Sequence, residues 1–241
     1  QGIIGGLIGG GLFVLPGALV IMILALAYGA YGNLPVVQAL FLGVKATVVI
    51  IVIEALLKVA RRALKSKQHL WIAAGAFIAL FFLALPFPIV ILVAGLFGAW
   101  RVTVGPEQKP APYGNLRQSL IVVLVGLALW AAPMIAIRLA GSTFLTEVGL
   151  FFSTLAVVTF GGAYAVLAYM TQEVVVSYAW LTTPEMMDAL GLAETTPGPL
   201  ILVTQFVGML AGFAEGGIPM ALAAGALTLW VTFVPCFIWI F

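Results

Sequence analysis

The sequence has little charge, because Asp, Glu, Lys and Arg together make up 7% of its 241 residues, whereas soluble domains contain roughly 25%. Apolar residues make up 64%, and the mean hydropathy is +1.24. This composition excludes a soluble protein and predicts an all-α polytopic membrane protein, because a backbone in lipid must satisfy its own hydrogen bonds. The net charge of +2 is too small to indicate a nucleic-acid partner, so the lipid bilayer is the expected surrounding.

The sequence also has only one cysteine, Cys236, and one histidine, His69. A single cysteine excludes an intramolecular disulfide, and a lone histidine provides no ligand cluster for a metal. A GxSxG nucleophile motif is also missing. We therefore expect no cofactor, no metal site and no enzymatic activity.

Long apolar runs predict membrane-spanning helices in the first half of the chain. Spans at Ile3–Tyr28 and Val36–Leu57 are followed by a basic loop at Lys58–His69. A helical hairpin at Leu70–Trp100 then leads into a polar linker at Arg101–Arg117. The positive-inside rule places the loop and the linker in the cytoplasm of a multi-pass inner-membrane protein.

The second half contains a stretch, Thr159–Pro199, in which glycine and proline interrupt apolar sequence. Broken helices in a membrane are tolerated where they line a cavity or are buried in protein, and transporters build substrate sites from them. Within this stretch Thr183 is predicted to cap a short helix that has Pro184 at its first position and Gly191 just past its end. Thr196 and Pro197 repeat the same signal and predict the buried start of a second helix.

Lys45 lies near the middle of the second predicted span. A lysine at that depth costs at least about 2.5 kcal/mol on insertion scales, so it is a candidate for function. A structural carboxylate that neutralises the charge would explain it equally well. The sequence leaves these two explanations open.

Helix amino ends and exposed glycine backbone bind anions, and this stretch offers two candidate places for them. The predicted substrate-binding residues are Lys45, Phe160, Gly161, Gly162, Thr195, Thr196, Pro197, Gly198 and Pro199. Glu173, Asp188 and Glu194 are the candidates for ion coupling. The alternative is that these glycines and prolines only bend helices for packing.

Both ends of the chain place proline about ten residues after glycine in an apolar helix, with Pro16 aligned to Pro235 and Gly6 to Gly225. This pattern predicts two homologous, inverted repeats with discontinuous helices. The chain begins and ends inside apolar segments, which predicts the middle part of a longer protein. A homodimer is left open.

Three segments of the second half carry a family resemblance: FGGAYAVLAYMTQEVV (160–175), WLTTPEMMDALGLAETTPGP (180–199) and QFVGMLAG (205–212). They are similar to the chromate ion transporter family. Two segments of the first half, FVLPGALVIMILA (13–25) and YGNLPVVQALFLGVK (31–45), resemble the same family's amino-terminal repeat.

The resemblance implies that residues 1–100 form the back part of a first repeat and residues 118–241 the front part of a second, joined by a cytoplasmic linker at 101–117. It implies efflux of chromate, a sulfate-like oxyanion, and hence chromate resistance. A transporter or channel for sulfate or another anion, or an inactive membrane fragment, are the alternatives.

Overall fold

The structure, a computed structural model, describes residues 2–83, 85, 87–101, 116–158 and 163–240. Over these residues the chain forms helices and contains no strand, which confirms the predicted all-α class. The helices are α1 (Gly2–Tyr31), α2 (Pro35–Ala63), α3 (Lys67–Phe81), α4 (Phe87–Arg101), α5 (Leu116–Leu139), α6 (Thr143–Val158), α7 (Ala163–Gln172), α8 (Thr183–Thr195) and α9 (Val203–Ile240). The predicted repeat and its inversion remain predictions.

The chain divides into two compact units, of which the first comprises residues 1–49 and 114–241 and the second residues 50–113. In the second unit α3 and α4 pack against each other, as the predicted hairpin requires. Ser66 caps α3 by accepting a hydrogen bond from the backbone N–H of His69 at 3.3 Å. The groove between α3 and α4 has an apolar lining that includes Ile72 and Phe97.

The first unit is organised around α9, which packs against α1, α5, α6 and α8. Residues 202–212, at the start of α9, are buried without interruption. Large side chains from three helices meet them in the core, among them Ile21 of α1, Phe152 of α6 and Met186 of α8. This burial places the amino-terminal part of α9 in the centre of the unit.

α9 folds back on itself at Gly216 and Gly217, which leave the helical conformation. Gly217 has φ of +67°, a value that glycine adopts without strain. A Cβ atom on Gly208 would contact Thr228 and Ala224, although these residues would lie more than 20 Å away along a straight helix with a rise of about 1.5 Å per residue. Residues 203–215 and 218–240 are therefore two arms of a helical hairpin.

Three stretches of the described residues are long and apolar enough to cross a membrane: Ile4–Tyr31, Ser119–Leu139 and Leu200–Ile240. The third stretch includes the turn of α9, so its length is divided between the two arms. Only the second arm, 218–240, has the roughly 20 residues that a crossing needs.

Candidate functional site

The amino end of α8 is fixed by a capping box that starts one residue earlier than predicted. The Thr182 hydroxyl accepts the N–H of Glu185, and the Glu185 carboxylate accepts the Thr182 N–H and O–H, each at 2.7 Å. The prediction of Thr183 as the cap was wrong, because the glutamate of a capping box stands three residues after its cap. The predicted end just before Gly191 was also wrong, since α8 continues through Gly191 to Thr195.

An aromatic cluster holds the segment that leads into α8. The rings of Tyr178 and Trp180 stack with centroids 4.4 Å apart, and Trp180 meets Phe151 of α6 edge-on at 5.7 Å. Such aromatic pairs are favoured beyond the area that they bury. These contacts hold the segment before α8 against α6 and so position the first turns of α8.

Asp188 lies one turn into α8 and joins Lys45 of α2 and Tyr28 of α1 in a cluster, called here the Tyr28–Lys45–Asp188 cluster. The Tyr28 hydroxyl donates to Oδ2 of Asp188 at 2.7 Å, and the Lys45 ammonium lies 3.2 Å from the same oxygen. The Asp188 side chain is 5% exposed and that of Lys45 is 24% exposed. The other oxygen, Oδ1, is buried and has no hydrogen-bond partner among the described residues.

The cluster lies in the wall of a cavity of about 730 Å³ within the first unit. Its size is within the usual range of small-molecule sites, roughly 300–1,000 Å³. The cavity is lined by Tyr28, Gly29, Gly32, Asn33, Gln38, Lys45, Trp180, Leu181, Thr182, Pro184, Glu185, Asp188, Leu210, Phe213 and Ala214. Among the described residues of this lining, Lys45 is the one cation, and Glu185 and Asp188 are the carboxylates.

Both explanations for Lys45 find support in this geometry. Asp188 is the neutralising carboxylate, and the exposed part of Lys45 faces an open cavity. The sequence reasoning missed Tyr28, Asn33 and Gln38, which contribute polar atoms to the same lining. Asn33 lies between the first two predicted spans, whereas Tyr28 ends the first span and Gln38 lies in the second.

The loop Thr196–Pro199 follows α8 and does not begin a helix at Thr196, so that prediction was wrong. Thr196 is instead the carboxyl-terminal cap of α8, and its N–H donates to the Leu192 carbonyl at 3.0 Å. A 3-10 turn at Leu200–Leu202 then precedes α9. The two prolines and Gly198, with φ of +127°, hold the loop out of helical conformation.

This loop packs closely against α1. A Cβ atom on Gly17 would lie 2.6 Å from the Pro197 carbonyl oxygen and 3.4 Å from the Gly198 Cα atom. Thr195 donates its hydroxyl to the Gly191 carbonyl within α8. The predicted role of Thr195 to Pro199 in anion binding therefore stays a prediction, since the observed contacts of the loop are with the protein itself.

The remaining predicted residues lie away from the cavity lining or outside the described part of the chain. Glu173 begins a π-helical turn at Glu173–Ser177, and Glu194 is half-buried near the end of α8. Neither is among the residues that line the cavity. Phe160, Gly161 and Gly162 lie outside the described residues.

Comparison with known proteins gives a consistent set of matches. The family model for the chromate transporter matches residues 1–99 and 146–241. A chromate transport protein from Cupriavidus metallidurans is 31% identical over 236 residues, covering 98% of this chain and 55% of that protein. A probable chromate transport protein from Synechococcus elongatus is 28% identical over 241 residues, covering 98% of this chain and 56% of that protein.

A chromate transport protein from Pseudomonas aeruginosa is 28% identical over 224 residues, covering 91% of this chain and 52% of that protein. The chain thus spans about half the length of the curated relatives it matches. No solved structure matches the chain at a significant level. Together with the three apolar helices, these relatives identify a multi-pass membrane protein.

Proposed function

The chain belongs to the chromate transporter family, and on that premise we propose that it carries chromate, a sulfate-like oxyanion, outward across the inner membrane. The matched relatives from Cupriavidus metallidurans and Pseudomonas aeruginosa are named for chromate transport. Removal of chromate from the cell gives chromate resistance. The protein acts as a transporter and not as an enzyme, and its partners are the oxyanion and the bilayer.

The observation that supports this proposal best is the Lys45 ammonium at the wall of a polar cavity. An ionisable side chain inside a membrane protein is expensive to place and usually marks a substrate or ion pathway. Lys45 is 24% exposed despite its ion pair with Asp188, and it is part of the cavity lining. Asn33 and Gln38 add amide donors to the same lining.

The charge of chromate favours outward transport. Moving two negative charges out of a cell with an inside-negative potential releases about 4.6 kcal/mol per 100 mV. The membrane potential therefore drives export of the dianion. Import of a dianion such as sulfate needs coupling to another ion.

Binding of radiolabelled chromate to the purified chain in lipid nanodiscs tests the proposal. We expect saturable binding above the level of empty nanodiscs, and competition by sulfate but not by chloride, since sulfate shares the shape and charge of chromate. In inverted vesicles, which expose the cytoplasmic face, a potential positive inside is expected to increase chromate accumulation.

Each alternative has its own outcome in these measurements. Binding that chloride displaces as well as sulfate does would indicate a general anion channel. Binding of sulfate with no binding of chromate would identify a sulfate transporter. Absence of any saturable anion binding would indicate an inactive membrane fragment and would contradict the proposal.

A further inference from the structure

We propose that Asp188 is a proton acceptor that gives up its place at Lys45 when the oxyanion binds. In this step the contact between the Lys45 ammonium and Oδ2 of Asp188 breaks, and an oxygen of the anion takes its place. The displaced carboxylate binds one proton from solvent, so one proton enters the site with each anion. The inference deepens the proposed function and rests on the cavity being an oxyanion site.

The first support is that the anionic position beside Lys45 is already occupied. Oδ2 of Asp188 receives both the Lys45 ammonium at 3.2 Å and the Tyr28 hydroxyl at 2.7 Å. We infer that an oxyanion that enters the cavity and contacts Lys45 competes with this carboxylate for the ammonium. Charge-assisted hydrogen bonds to an ammonium are strong. The oxyanion can therefore replace the Asp188 carboxylate at the Lys45 ammonium.

The second support is the burial of Asp188. Its side chain is 5% exposed, and Oδ1 has no hydrogen-bond partner among the described residues. A buried carboxylate that loses its cation is not stable in its charged form, and such groups take up a proton instead. Oδ1 can accept that proton while Tyr28 continues to donate to Oδ2.

The third support is the charge of the surrounding wall. The titratable groups that face Asp188 are Tyr28 from α1, Lys45 from α2 and Glu185 from its own helix. Of the described residues of α9, Leu210, Phe213 and Ala214 line the cavity, and none of them titrates. A dianion would thus meet two carboxylates and one ammonium, and neutralising Asp188 removes the repulsion nearest to Lys45.

Calorimetric titration of the purified chain with sodium sulfate tests this step, because sulfate remains a dianion between pH 6 and pH 8. Titrations at constant ionic strength in two buffers of different ionisation enthalpy measure the protons taken up per anion. We expect an uptake approaching one proton and a Kd that falls by up to tenfold for each unit by which the pH is lowered. Asp188→Asn is expected to remove both effects, leaving an affinity that does not vary with pH.

Two variants serve as controls for the source of the proton. Glu215→Gln removes an exposed carboxylate next to the cavity residue Ala214, and His69→Gln removes the single histidine of the chain. Both are expected to keep the proton uptake of the wild-type protein.

Tyr28→Phe leaves the carboxylate with one hydrogen bond fewer, so we expect the pH dependence of its Kd to shift to higher pH.

The outcomes separate this inference from the proposed function. Sulfate binding without proton uptake in the wild-type protein overturns the role of Asp188 and leaves the oxyanion site standing, whether or not Asp188→Asn folds. Retained proton uptake in Asp188→Asn overturns it as well. Failure of the wild-type protein to bind either sulfate or chromate at any pH contradicts the proposed function itself, and the inference falls with it.

Discussion

The Tyr28–Lys45–Asp188 cluster and the loop Thr196–Pro199 differ in what their polar groups contact, although the sequence analysis assigns Lys45 and the loop to the same substrate site. In the cluster a cation reaches a cavity of about 730 Å³ and shares a carboxylate with a tyrosine. In the loop the backbone packs against Gly17 of α1. The cluster thus places charge beside open volume, whereas the loop that breaks the helical backbone contacts another helix.

The largest effect is expected for Lys45→Gln, which leaves Asp188 buried without its cation. Breaking such a pair from one side is strongly destabilising, and we expect a loss of roughly 3 kcal/mol. The double variant Lys45→Gln with Asp188→Asn removes both charges and is expected to recover most of the stability. Thermal unfolding in detergent measures this double-mutant cycle, and additive losses would show that the two groups do not interact.

Gly17→Ala tests the packing of the loop. The added Cβ would approach the Pro197 carbonyl oxygen to 2.6 Å, and overpacking of this kind costs roughly 1–3 kcal/mol. Gly9→Ala in the same helix meets nothing within 4 Å and is expected to stabilise α1 slightly. Similar unfolding temperatures for the two variants would show that the loop does not press on α1.

Gly198→Ala tests whether the loop Thr196–Pro199 serves packing against α1 or anion binding. Its φ of +127° disfavours any residue with a side chain, so we expect a loss of about 1–2 kcal/mol. Chromate affinity in the folded fraction is expected to stay within twofold of the wild-type value. A loss of affinity at wild-type stability would instead place the loop in the binding site.

Thr182→Ala gives the smallest of these effects. It removes the hydroxyl that caps α8, which costs about 1 kcal/mol, and loosens the helix that carries Asp188. Thr183→Ala, one residue later and exposed, makes a matched control with an expected change below about 0.5 kcal/mol. An equal loss from both would contradict the observed capping box.

Hydropathy was sufficient to predict the helical class and to single out Lys45, because a cation in an apolar run stands out without any structure. The partner of Lys45 could not be chosen in the same way. Asp188 was one of several acidic residues in the second half, and Tyr28, 160 positions from it along the chain, looked like the ordinary end of a span. Long-range packing of α1, α2 and α8 makes the cluster, and no local pattern encodes it.

The hairpin of α9 and the start of that helix also could not be predicted from local sequence patterns alone. Apolar composition continues across Gly216 and Gly217, so hydropathy predicts where the arms lie but not how they pack against each other. At Thr196 the threonine and proline signal was misread, because the same residues also suit the end of a preceding helix. The hydrogen bond from the Thr196 N–H to the Leu192 carbonyl decides which of the two is formed.

The most direct test of the oxyanion site is chromate binding by the double variant Lys45→Gln with Asp188→Asn, with Lys58→Gln as a control lysine outside the cavity lining. The double variant has no unpaired charge in the cluster, so its unfolding temperature is expected to stay near the wild-type value. We predict that it loses chromate affinity at least tenfold while Lys58→Gln binds as the wild-type protein does. Wild-type affinity in the folded double variant would contradict the assignment of Lys45 to the oxyanion site.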